Sequence, residues 1–221
     1  ATFPGVTFDN GGTYVVIAHG IAGDDDTPLT LTVIDGREKA DDPESLELAI
    51  FHGVTNAPAV DVDARDVGNL VENLAYGEAT PYLALAPAYY ALEVRPNGSQ
   101  DLVATFAAPA EEDAEGVAAV VFASGFLGQE PPFELLVALS DGEVVPLPSI
   151  TRVQIVHNSP SPTVDVYVND ELAIPDFAFR TATPFIDLPT REPLDIAIAP
   201  AGSQSSADAV ANFDGIVLED G

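Results

Sequence analysis

The chain has 221 residues, 47% of them apolar, and carries a net charge of −29 with one lysine, Lys39. The apolar fraction argues against global disorder, and the charge argues against partners with exposed phosphates, such as nucleic acids and anionic lipids. Because the chain has no cysteine, it has no disulfide, thiolate metal site or thiol nucleophile, and its acidity favours a salt-rich habitat in which cations screen self-repulsion.

Short β-strands are predicted along the chain. Continuous apolar runs, which are typical of strands buried on both faces, are YVVIA (14–18) and VAAVVFA (117–123). Alternating runs, which are typical of half-buried strands, are ALEVR (91–95), VDVYVN (164–169) and LDIAIAP (194–200). Pro, Gly, Asn and Asp clusters separate such runs about every 8 to 12 residues. The best helical candidate is ARDVGNLVENL (64–74).

The sequence repeats itself with a period of about 105 residues. The matching landmarks are His52 with His157, Asp61 with Asp165, RPNGSQ (95–100) with APAGSQ (199–204), NLAYGEATPYLAL (73–85) with DFAFRTATPFIDL (176–188), AHG (18–20) with ASG (123–125), and TLTVIDG (30–36) with LVALSDG (136–142). Their common order indicates two copies of one fold.

The repeat is out of phase with the chain. Residues 1–46 match the C-terminal half of a unit, residues 47–150 form a complete unit, and residues 151–221 form the N-terminal part of another. About seven strands per unit predict an all-β fold of two repeated antiparallel β-sandwich, immunoglobulin-like units of about 105 residues each. An eight-stranded barrel or jelly roll is the alternative.

The segment VHNSPSPTVDVYV (156–168), followed by TPFIDLP and PAGS, resembles a bacterial and archaeal family catalogued as a domain of unknown function. The signature of that family is a V-H-x-S-P turn followed by V-D-V-Y. The first copy departs from it at residues 53–56 and at Asp63, which stands in the place of Tyr167. The resemblance implies an extracellular β module that occurs in tandem on secreted and cell-surface proteins, and it implies no chemistry.

No catalytic constellation is predicted, and we expect a protein that is not an enzyme. His52 and His157 are expected to bond the turns that follow them, and Asp61 and Asp165 belong to the same structural turns. The carboxylate clusters 23–26, 61–66 and 111–115 leave calcium open as a cofactor, although none has the spacing of an EF-hand loop. Asn97 begins an N-x-S glycosylation motif.

The two ends of the chain resemble each other. ATFPGVTFDNG (1–11) aligns without gaps to ANFDGIVLEDG (211–221), and the middle unit has its own version at 104–116. A spare strand of this kind is what strand exchange requires, so the predicted subunit-interface residues are Phe3, Val6, Phe8, Phe213, Ile216 and Leu218. We expect residues 1–46 of the same or a neighbouring chain to complete the partial unit, unless the chain is an excerpt of a longer array.

These observations predict a secreted or cell-surface structural protein that associates with itself head to tail, in a filament or surface assembly. The alternative is an adhesin or carbohydrate-binding module from a longer tandem array, with surface glycans as partners. An exposed aromatic platform made from Tyr82, Tyr89, Tyr90 and Tyr167 would favour that alternative.

Overall fold

A computed structural model describes residues 7–111 and 114–220. The chain divides into two compact units, Ala1–Pro148 and Ser149–Gly221. Within the described ranges, no helix has the length and apolar character that a membrane crossing requires.

The described residues of the first unit form eleven strands. They are β1 (Tyr14–His19), β2 (Thr30–Asp35), β3 (Leu46–His52), β4 (Val60–Ala64), β5 (Gly68–Leu74), β6 (Leu83–Leu85), β7 (Ala88–Pro96), β8 (Ala104–Ala110), β9 (Ala118–Ser124), β10 (Glu134–Leu139) and β11 (Val144–Pro146). The predicted helix over 64–74 is wrong, because residues 68–74 form β5, which pairs with β4 through an irregular register and buries Val71 and Leu74.

Two sheets form a sandwich in this unit. One has the strand order β11-β10-β9-β3-β6 and the other contains β8-β7-β4-β5. Their facing side chains, among them Ile50, Val62, Leu92 and Phe106, form the main hydrophobic core. The predicted all-β sandwich is confirmed, although β3 and β9 pair in parallel rather than antiparallel.

The β1–β2 hairpin packs on the outer face of the first sheet. Val15, Ile17 and Ile34 of the hairpin contact a cluster built on Phe51 and Val120. Every residue of β3 is therefore buried, because the sandwich core covers one face of this strand and the hairpin covers the other.

The described part of the second unit contains eight strands and one short 3-10 helix. They are β12 (Ser149–Val153), β13 (Val156–His157), β14 (Val164–Val168), β15 (Glu171–Phe177), β16 (Thr181–Ala182), β17 (Ile186–Pro189), β18 (Pro193–Pro200), the 3-10 helix Ser206–Asp208, and β19 (Ala211–Val217). The order β15-β14-β18-β19 forms its largest sheet, while β12 pairs with β17 and β13 with β16. A smaller core contains Val164, Val166 and Phe177.

The strand pairs of the two units share the same register. Leu46 lies opposite Leu85 in the first unit, and the equivalent Thr151 lies opposite Leu188 in the second. Leu92 lies opposite Phe106, and the equivalent Ile196 lies opposite Phe213. The repeated sequence therefore folds into the same strands from β3 to β8 and from β12 to β19.

The β1–β2 hairpin corresponds to the β9–β10 hairpin. His19 lies opposite Thr30 in one, and Ser124 lies opposite Glu134 in the other. The second strands of the hairpins therefore correspond at an offset of 104 residues, not at the 106 residues that separate TLTVIDG from LVALSDG. Each hairpin also closes with an isolated parallel bridge, Ile21 to Pro28 and Phe126 to Pro132. The first unit thus contains two hairpins of this type, whereas the described residues of the second unit contain none.

Candidate assembly site

The two equivalent histidines hold the turns that follow them. His52 Nε2 donates to the Pro58 carbonyl oxygen (3.0 Å), and Nδ1 accepts from the Val54 backbone N–H (3.3 Å). His157 makes the equivalent bonds to Pro162 O (3.1 Å) and from Ser159 N–H (3.3 Å). Both partners are satisfied only by a neutral imidazole with its proton on Nε2. Each histidine therefore has a structural role, which is to connect its strand to the turn that follows.

Acid should remove the contribution of His52 to stability. Burial lowers the pKa of His52 from its ordinary 6.5, so the unfolded chain binds more protons than the folded one below that pH. We expect the loss of unfolding free energy caused by His52→Gln to be largest at about pH 7.5 and to shrink toward about pH 5.5. Urea titrations of both proteins at a series of pH values measure it, and a pH-independent difference would contradict it.

In each unit the equivalent aspartate connects its own strand to the next strand and to a turn. Asp61 accepts from the Asn73 backbone N–H (2.8 Å) and from Asn97 Nδ2 (2.9 Å). Asp165 accepts from the backbone N–H of Asp176 (2.8 Å) and of Ser203 (3.0 Å). The backbone bonds from Asn73 and Asp176 are the main reason that the pKa of each carboxyl lies below its usual value.

Other polar candidates do not converge on a site. In the described ranges, no group of three or more His, Asp or Glu side chains is placed to hold a metal ion. Asn97 is exposed at a turn, and its glycosylation stays a prediction.

The unusual surface of the second unit is an apolar one. We call the side of this unit that carries Ile155, Ile196, Ile198 and Phe213 the open face. Its three isoleucines are half-buried against the smaller core, and Phe213 is exposed. In the first unit the equivalent residues, Ile50, Leu92, Val94 and Phe106, all belong to the buried core. There they are covered by β9 and β10, through residues such as Val121, Phe133 and Leu135.

Equivalent aromatic and apolar residues differ in exposure between the two units. Phe106 is 1% exposed and meets the Phe133 ring edge to face at 5.3 Å between centroids, whereas Phe213 is 50% exposed. Likewise Phe51 is 1% exposed under the β1–β2 hairpin, and its equivalent Val156 is 60% exposed. The second unit therefore exposes positions that the first unit buries with its two hairpins.

The β1–β2 hairpin has a second apolar face, which its own unit leaves partly exposed. Val16, Leu29, Leu31 and Val33, which we call the free face, correspond to Val121, Phe133, Leu135 and Val137 of the β9–β10 hairpin. Val16 is 47% exposed, although its equivalent Val121 is fully buried. Sequence reasoning did not select these residues, yet the continuous apolar run YVVIA was their signal, because it predicts burial on both faces.

His19 fixes the opposite face of this hairpin to the first unit. Its Nε2 bonds Thr32 Oγ1 (2.9 Å), its Nδ1 bonds the Tyr76 hydroxyl (3.0 Å), and its ring meets Phe51 at 5.2 Å. Burial lowers the pKa of His19. The hairpin is thus held in place with its free face turned away from its own unit.

The predicted interface residues at the two ends lie in different settings. Phe3 and Val6 are outside the described residues, and Phe8 is half-exposed against Tyr14. In β19, Phe213 lies on the open face and Ile216 pairs with Leu194, while Leu218 follows the strand and accepts from the Arg191 N–H. The 211–217 segment is therefore a paired strand of the second unit, at the position that β8 has in the first.

The fold and this site define a repeat protein of β-sandwich units, in which the second unit exposes a surface that the first buries. The chain belongs to the family described as domain of unknown function DUF4397, whose model matches residues 46–141 and 151–215. The first match includes the β9–β10 hairpin, and the second ends within β19. No curated protein and no solved structure matches the chain.

Proposed function

We propose that this protein is a non-catalytic structural subunit at the cell surface or in the extracellular space, and that its copies join head to tail by β-strand complementation. The observation that carries the proposal is the exposure of Phe213 beside the burial of the equivalent Phe106. An apolar sandwich face of this kind marks an interaction surface, and the covering element has a known form in the first unit.

A contact between the second unit of one copy and the first unit of the next uses two different surfaces. Such a heterologous contact propagates into a filament unless the rotation between copies closes a ring. Both copies are strongly acidic, with a net charge of −29 each, so salt should favour assembly by screening their repulsion. The salt-rich, extracellular setting that the composition and the family resemblance suggest is consistent with this behaviour.

The alternative, a carbohydrate-binding module, has less support. Tyr90 and Tyr167 are buried, and Tyr82 lies beneath the Arg37 guanidinium at 4.9 Å. Of the four tyrosines that could form an aromatic platform, only Tyr89 is well exposed.

Replacing Phe213 by aspartate should abolish assembly, because a carboxylate on the open face would be desolvated in the complex. The matched control is Leu172→Asp. Leu172 is 49% exposed but pairs with Tyr167, so it lies on the opposite face of the same sheet. Light scattering and negative-stain microscopy should find filaments or rings for the native chain and for Leu172→Asp, and monomers for Phe213→Asp.

Two results would overturn the proposal. In one, Phe213→Asp assembles as the native chain does. In the other, the native chain stays monomeric at every protein and salt concentration. The open face would then be covered by further repeats of a longer chain and not by a second copy.

A further inference from the structure

Resting on the proposed function, we infer that the element which covers the open face is the β1–β2 hairpin of a second copy, with its β1 strand parallel to β13. The first unit contains the template for this contact. There β9 pairs in parallel with β3, with Ile50 beside Val121 and His52 beside Ala123. Transferred through the repeat, the same register places Ile155 beside Val16 and His157 beside Ala18.

The receiving edge has the geometry of its template. Ile50 donates its N–H to Thr80 Oγ1 (2.9 Å), and Ile155 donates to the equivalent Thr183 Oγ1 (3.0 Å). The histidine at the end of each strand makes the same two bonds to its turn. No described strand of the second unit itself pairs with the side of β13 opposite β16.

The donated element has the matching properties. Among the described residues, β1 pairs with β2 and with no other strand. The edge of β1 that corresponds to the β3-pairing edge of β9 is therefore unpaired. The free face supplies Val16, Leu29 and Leu31 where the template supplies Val121, Phe133 and Leu135. Leu29 would therefore meet Phe213 as Phe133 meets Phe106.

Contacts on the other face of the hairpin are compatible with this arrangement. Val15 and Ile17 already pack on the first unit of their own copy, and strand alternation points Val16 to the opposite side. The hairpin would then be buried on both faces, with Ile17 beside the exposed Val156 of the neighbouring copy. One contact thus covers both exposed areas of the second unit.

The hairpin explains the open face better than the terminal segments do. The A-x-F strand of residues 211–217 already pairs with β18 at the position of β8, so a second strand of that type would duplicate one that is present. The described residues of the second unit contain no equivalent of β9 and β10.

Cysteine cross-linking tests the register, because the chain contains no cysteine of its own. One preparation carries Val16→Cys and the other carries Ile155→Cys, with tags of different size. Adjacent strands bring paired Cα atoms within disulfide range, so oxidation of the mixture should give a covalent dimer of the two. The matched control replaces Val16→Cys with Ala18→Cys, on the same face of β1 but shifted by two residues, roughly 7 Å along the strand.

We expect several-fold more cross-linked dimer from the Val16 and Ile155 pair than from the Ala18 and Ile155 pair. Assemblies that form without this preference would overturn the inferred hairpin and register while leaving the proposed function standing. A chain that carries both Val16→Cys and Ile155→Cys tests the alternative that the hairpin covers the open face of its own chain. If this chain gives a disulfide-bonded monomer and the mixture gives no dimer, the inference that the hairpin comes from a second copy is wrong. Absence of any assembly would count against the proposed function itself.

Discussion

Phe106→Ala lowers the unfolding free energy of the first unit by about 3–5 kcal/mol, the range for truncation of a buried phenylalanine. Phe213→Ala, at the equivalent position of the second unit, changes the stability of the monomer by less than about 1 kcal/mol, since an exposed ring leaves no cavity. Phe106 is 1% exposed and contacts Phe133, whereas Phe213 is 50% exposed. Hydrogen exchange of β7 and β18 amides in dilute protein reports each unit separately.

The same pair of variants also separates stability from assembly. Phe213→Ala should weaken association of the native chain while its monomer stays folded, and Phe106→Ala should destabilise a unit without touching the open face. Equal losses of stability at the two positions would mean that Phe213 is buried within the monomer. The difference in exposure between Phe213 and Phe106, on which the proposed assembly rests, would then be wrong.

Gly125→Ala is expected to destabilise the first unit by about 3–5 kcal/mol, among the largest effects of a single substitution. Gly125 has φ of +84°, and a Cβ there would lie 2.0 Å from the Pro132 carbonyl oxygen, a backbone atom that cannot move aside. Gly98→Ala is the matched control. Its φ is +73° with no atom near the added Cβ, so it should cost only about 1–2 kcal/mol for the left-handed conformation.

Thermal or urea unfolding of the two variants gives this comparison directly, and similar costs would mean that the turn relaxes around the new methyl group. The same constraint is present at Gly20, whose added Cβ would meet the Pro28 oxygen at 2.3 Å. The AHG and ASG landmarks of the repeat therefore have a steric cause: both hairpins begin with a turn that only glycine can make.

Much of the fold could be predicted because strand alternation and turn residues are local properties. The 105-residue period anticipated equivalent strands, and His52 and His157 lie at equivalent turns. The partners of each strand could not be predicted in this way. VAAVVFA gave a buried central strand but not its parallel pairing with β3, and 64–74 looked helical because its apolar spacing is ambiguous without the neighbouring β4.

The candidate site was anticipated only in outline. The phase of the repeat indicates an incomplete unit, but the similarity between the chain ends points to the terminal A-x-F segments instead. The free face of the hairpin depends on which side of β1 its own unit covers. That choice is made by the packing of Val15 and Ile17 on Phe51, and no local pattern encodes it.

The attachment of the β1–β2 hairpin to Phe51, Tyr76 and Val120 has a consequence for quality control. A copy whose first domain is misfolded has no platform on which to present its hairpin in the right orientation. If the copies assemble as we propose, growth would select natively folded molecules and leave damaged ones in solution.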